Sequence, residues 1–81
     1  MHIHFVYVLQ SQAHPEHYYV GLTSDIASRV ASHNAGTTQS TRPYRPWKLL
    51  LYMAFFDDKK ARRFEVYLKS GSGRAFCKRH F

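Results

Sequence analysis

Two stretches, IHFVYVL at residues 3–9 and WKLLLYMAFF at 47–56, carry apolar side chains at both odd and even positions. A strand with one buried face alternates, whereas a strand that is apolar on both sides needs cover above and below. In a chain of 81 residues that demand is severe, because so short a chain buries only about 60% of the surface it exposes when unfolded. The remaining residues must supply both layers of cover. That leaves room for one sheet and a few helices, with residues 1–81 expected to form one domain. A hydrophobic content of 44% and an aromatic content of 16%, with Trp47, six Phe and six Tyr, supply the apolar area and argue against disorder.

After the polar loop QSQAHPEH, YYVGL at 18–22 reads as a second strand and antiparallel hairpin partner of the first. Gly21 either ends it or lets another group approach the backbone closely. Thr23 or Ser24 is expected to cap a helix over about 25–34, with Ile26 and Val30 toward the sheet and Gly36 as its stop. TTQSTRPYRP reads as a loop before the third strand at 47–56. Asp57 or Asp58 can cap a second helix through about Lys69 that ends near SGSG, and RAFCKRHF adds a short terminal helix. The fold class is therefore α+β, three strands and flanking helices in the order β-β-α-β-α-α, with no internal repeat or linker.

Twelve Lys and Arg against five Asp and Glu give a formal charge of +7, which points to a polyanionic partner and to nucleic acid first. A membrane fits less well, since there is no long basic amphipathic helix and no apolar run near the roughly 20 residues that span a bilayer. The opening MHIHFVYVL is too short, and lacks the basic flank, for a signal peptide. One cysteine, Cys77, forms no internal disulfide, so a reducing cytoplasm is the expected setting. His2 and His4 share a strand face, but no CxxC or HxxxH pair completes a tetrahedral set, and zinc is set aside.

Several residues exceed what a core requires. Arg29 and His33, four apart, flank the Ile26/Val30 stripe and lean over one end of the sheet. Both are either solvated or a phosphate site, in which guanidinium supplies a bidentate fork and imidazole a proton acceptor or donor. Tyr7 and Tyr19 lie on the two strands expected to pair and are either core pieces or cross-strand partners in a site. Glu65 stands at the edge of the Ala61/Phe64/Leu68 stripe of the second helix, either paired with Arg62 or Lys69 or aimed into a pocket. TRPYRPWK sets Arg42, Arg45 and Lys48 among Tyr44 and Trp47, the basic and aromatic mix of single-strand or distorted-duplex binders, unless the prolines only shape a turn and Trp47 is core. KSGSGR, with Lys69, is either a phosphate cradle or the join between two helices.

Together these residues resemble the GIY-YIG nuclease superfamily, in particular its small stand-alone bacterial members. Phe5-Val6-Tyr7 stands in the place of Gly-Ile-Tyr and Tyr19-Val20-Gly21 in that of Tyr-Ile-Gly. SDIASRVASHNAG supplies the family's Arg at Arg29 and a His at His33, and FEVYLKSGSG carries the metal-binding glutamate at Glu65. Phe5 replaces the namesake glycine, Val replaces Ile twice, and Leu22 stands where some members place a lysine. The resemblance implies a three-stranded antiparallel sheet flanked by helices and a metal-dependent endonuclease for DNA, with RNA left open, acting structure-selectively in repair, recombination or mobile-DNA processing. It implies one Mg²⁺ or Mn²⁺ on Glu65, Arg29 clamping the scissile phosphate, Tyr19 taking a proton from water, and Tyr7 hydrogen-bonding in the same cluster. His33 would move a proton or hold phosphate, and Arg42, Arg45, Lys48 and Lys69 would grip the substrate. A phenol with an ordinary pKa near 10 needs help to act as a base at neutral pH. The two phenols Tyr7 and Tyr19, Arg29 and Glu65 must then meet in one cleft beside a sheet edge. A dimer is compatible with this reading, and the competing readings are a nucleic-acid-binding module that does not cut and a domain that meets an acidic protein.

Overall fold

The computed structural model describes residues 2–81. Strand β1 (His4–Ser11) is the middle of a three-stranded antiparallel sheet, with β2 (Tyr18–Thr23) and β3 (Trp47–Phe55) as its edges. The most evenly apolar run thus takes the place with most cover, and Val6, Tyr7, Val8 and Leu9 are all buried. Their alternation divides the interior in two. Val6 and Val8 join Ala61, Leu68 and Cys77 on the face covered by α2 (Asp58–Lys69) and α3 (Gly71–His80). Tyr7, Leu9 and Trp47 form the other core, beneath α1 (Ile26–Ala35), with Tyr19, Val30, Tyr44 and Leu49 packed around them. The register slips between Val8 and Leu9, which oppose Leu51 and Leu49 respectively. The extra residue, Leu50, packs with Leu51 on the α2 side, while Leu49 turns to the α1 side.

Side-chain chemistry sets the helix ends. Asp25, rather than Thr23 or Ser24, caps α1: its carboxylate accepts from the Ser28 N–H at 3.1 Å, and Thr23 Oγ1 accepts from the Asp25 N–H at 3.1 Å. A carboxylate brings a full charge to the positive end of the helix dipole, which a hydroxyl cannot. Gly36 ends α1 in the left-handed region with φ 81°. Asp57 caps α2, accepting from the Lys59 N–H at 2.9 Å.

The terminal helix is longer than the RAFCKRHF stretch suggests. Ser70 closes α2 and caps α3 at once, its hydroxyl accepting from the Gly73 N–H at 3.2 Å, so KSGSGR is the join between two helices, with α3 already under way at Gly71. A Cβ on buried Gly73 would overlap the Tyr67 carbonyl and the Leu68 backbone, so its absence lets α3 lie against α2. The loop before β3 contains one 3-10 turn, Arg42–Tyr44.

Candidate active site

On the α1 side of the sheet, β1 presents Tyr7 beneath the helix. Tyr7 opposes Gly21 on β2, and a Cβ there would clash with the Tyr7 ring edge and hydroxyl, so the glycine is what lets the phenol lie across its neighbour strand. Tyr19 opposes Leu9 and is thus a diagonal neighbour of Tyr7, their ring centroids 6.1 Å apart.

From α1, His33 descends between the two phenols and is fully buried, its ring 4.6 Å from that of Tyr19. His33 Nε2 lies 3.1 Å from the Tyr7 hydroxyl and Nδ1 lies 2.9 Å from Thr41 Oγ1. The Thr41 hydroxyl donates to the Thr38 carbonyl at 3.3 Å. Thr41 Oγ1 therefore accepts from His33 Nδ1–H, which leaves Nε2 as the acceptor for the Tyr7 O–H. Burial, and then the Arg29 charge, hold His33 below its ordinary pKa, in keeping with this neutral tautomer.

Arg29 is partly exposed, and its neighbours Tyr7 and, to a lesser degree, Tyr19 strengthen its hold on its proton. Burial pushes the Tyr7 phenol up, an effect that Arg29 only partly offsets and that Tyr19 reinforces. Tyr7 therefore rests protonated, as its bond to His33 requires. Tyr19 is the more exposed of the two phenols. Val30 packs with the Leu9/Trp47 core, and Arg29, about 100° away around the helix, leans to the β2 flank.

Glu65 comes from the other side of the sheet. Phe64 leans toward β3, where its ring lies 5.6 Å from that of Phe55. Glu65, about 100° further round α2, therefore leans toward β2. Lys69, one turn on, lines a recess with Tyr18 and Val20 of β2, which fixes that flank. The Glu65 side chain is 20% exposed and its carboxylate pairs with Lys69 at 3.3 Å, with no hydrogen bond or ion pair to the phenols or Arg29. Tyr7, Tyr19, Arg29 and His33 are thus brought together, whereas Glu65 lies on the opposite face of the sheet, because α2 covers Val6 and Val8 while α1 covers Tyr7 and Leu9. The single cleft expected from the sequence for Tyr7, Tyr19, Arg29 and Glu65 is not formed by all four groups.

The remaining basic candidates have local partners or none. Arg42 Nε donates to the Gly36 carbonyl at 2.8 Å and Arg45 Nε to the Arg42 carbonyl at 3.2 Å, so both fold back toward the negative end of α1. Lys48 is exposed on β3 opposite Gln10. Trp47 is core: it is buried and its indole N–H donates to the Thr41 carbonyl at 2.9 Å. Since His33 is wholly buried, it does not reach a phosphate arriving from solvent. Thr41, which orients that histidine, went unseen because it is one of four hydroxyl residues in TTQST with no periodicity to single it out.

No group of three His, Cys, Asp or Glu among the described residues is arranged to hold a metal ion. A lone carboxylate nevertheless suits Mg²⁺, which keeps several waters and takes the rest of its shell from a substrate phosphate. Glu65, partly exposed at the sheet edge, meets that requirement once Lys69 yields to the ion.

A family model described as the GIY-YIG catalytic domain matches residues 3–79. The "Structure-specific endonuclease subunit SLX1" of Scheffersomyces stipitis is 39% identical over 60 residues, covering 67% of this chain and 18% of that protein. A UPF0213 protein of Streptococcus pyogenes is 44% identical over 43 residues, 53% of this chain and 47% of its own. The chain thus spans under half the length of these relatives. The solution NMR structure of the UPF0213 protein BH0048 from Bacillus halodurans superposes with a TM-score of 0.57 at 30% identity, covering 94% of this chain and 80% of that one.

Proposed function

This chain belongs to the GIY-YIG family, and from that premise we propose that residues 1–81 act as one endonuclease domain that hydrolyses phosphodiester bonds in DNA. The observation that carries the proposal is the buried chain Tyr7–His33–Thr41 with Arg29 beside it, a polar arrangement that a small core has no structural need to build. Arg29 presents its free guanidinium face to the scissile phosphate at the β2 edge. Tyr19, the more exposed phenol and next to that charge, accepts the proton of the attacking water in its phenolate form, which the neighbouring cation favours. Tyr7 and His33 are positioning residues: the Tyr7 O–H is committed to His33, so its oxygen lone pairs face Arg29 and fix the guanidinium.

Glu65 would hold Mg²⁺ or Mn²⁺. A bound divalent ion supplies neutralisation of charge on the phosphoryl oxygens and a more acidic water. The activity is structure-selective, as it is in the name of the Scheffersomyces relative, a structure-specific endonuclease subunit, and serves repair, recombination or mobile-DNA processing in the cytoplasm.

The test incubates purified protein with labelled duplex, single-stranded and branched DNA, and with RNA, in Mg²⁺, Mn²⁺ or chelator. Cleavage is expected with either ion and none with chelator. Tyr19→Phe and Glu65→Gln are expected to slow it by at least about 100-fold while circular dichroism stays unchanged. Binding without cleavage in every ion would establish the non-cutting module instead.

A further inference from the structure

Outside the cluster, the β2 edge borders a groove of about 520 Å³ lined by Glu16, His17, Tyr18, Arg74, Ala75 and Lys78. Arg74 and Lys78 lie four apart on α3, so their Cβ atoms are about 5–6 Å apart on one face. Among the described residues neither has an acidic partner, whereas Arg62 and Lys69 are paired with Asp58 and Glu65. The one carboxylate in the groove, that of Glu16, sits 3.8 Å from both His14 and His17. A second, smaller recess, shared by Lys69, Tyr18, Val20 and Arg74, adjoins the groove and leads back along β2 toward Glu65. The cations Lys69, Arg74 and Lys78 thus line the sheet edge outward from the carboxylate.

We propose that this groove between β2 and α3 is a track for the phosphodiester backbone of a nucleic-acid strand running along the β2 edge, with Arg74 and Lys78 as its phosphate contacts. Concavity, two cations without an acidic partner among the described residues and continuity with the recess beside Lys69 together favour a polyanionic strand. The contacts reach backbone alone, so the track adds affinity without sequence preference. The proposal rests on the nuclease reading for the strand's path, and its test separates the two.

Fluorescence anisotropy with a labelled single strand, in chelator and over a range of salt, compares the intact chain with R74Q/K78Q and with K59Q/R63Q. The second pair removes the same charge from exposed residues of α2. The groove pair is expected to weaken binding on the order of tenfold and to lower the slope of log K against log salt by about 1.4. The α2 pair should change both far less. Circular dichroism checks that each variant folds. Equal losses for the two pairs would overturn the track. In Mg²⁺, a cleaving wild type should show a raised KM and unchanged kcat in the groove variant. A wild type that binds but never cuts would sink the nuclease reading, and the anisotropy comparison would still decide the groove.

Discussion

At the scale of single residues, Tyr7, His33 and Thr41 occupy core volume that aliphatic side chains would fill with less risk, since a buried polar group left without its partner costs about 1–3 kcal/mol. Every buried side-chain nitrogen and oxygen among the described residues has a partner, so the chain of bonds is complete. Its weak point is protonation. His33 is held below its ordinary pKa of about 6.5 by burial and by Arg29, and no carboxylate among the described residues pairs with it. The unfolded chain therefore takes up the proton first. The stability contributed by neutral His33 is full above about pH 6.5 and is lost as pH falls from there toward the folded-state value. Thermal melts from pH 8 to pH 5 should show the wild type losing Tm below about pH 6.5, with a shallower loss in His33→Gln. Parallel curves would exclude a neutral buried His33. The pairing of Arg29 with His33 was legible from i,i+4 spacing, and the freedom at Gly21 from its place at the end of an apolar run. Which phenol would bond the imidazole was not, because that depends on strand register.

At the scale of elements, the strands were legible to within one or two residues because apolar runs and turn residues mark them directly. The start of α3 was not. Two glycines in SGSG lower helix propensity, and no local rule shows that one of them is needed for contact with another helix. The two glycines separate cleanly in the structure: Gly71 has open space where a Cβ would go, and Gly73 has the backbone of α2. Gly71→Ala should raise stability by a few tenths of a kcal/mol, since it adds helix propensity and meets nothing. Gly73→Ala should lower it by about 1–3 kcal/mol, the usual cost of overpacking, by pushing α3 off α2. For a domain of this size 1 kcal/mol corresponds to a Tm shift of about 4–8 °C, so melting curves resolve the two. Equal effects at both positions would mean that the helices do not meet at Gly73.

Across the whole molecule, the sheet divides the proposed labour between its faces. Arg29 and the phenols approach the β2 edge beneath α1, and Glu65 approaches it from α2 on the reverse side. The apolar stripe of α2 showed that Glu65 lies at a boundary, but a stripe does not say which face of the sheet its helix will cover. That was decided by α2 burying Ala61 and Leu68 against Val6 and Val8. Such a division has a consequence for binding. On the proposed reading, phosphate affinity would come from the cationic side and from a net charge of +7, whereas Glu65 is a negative group beside the same path. Glu65→Gln removes one repulsive charge and frees Lys69 from its ion pair. In chelator it should therefore bind a labelled DNA strand at least as tightly as wild type, by anisotropy at fixed salt, even as its cleavage in Mg²⁺ drops by at least about 100-fold. If binding and cleavage fell together, Glu65 would be supporting the fold or the substrate contact itself, and the two faces would not act as separate parts.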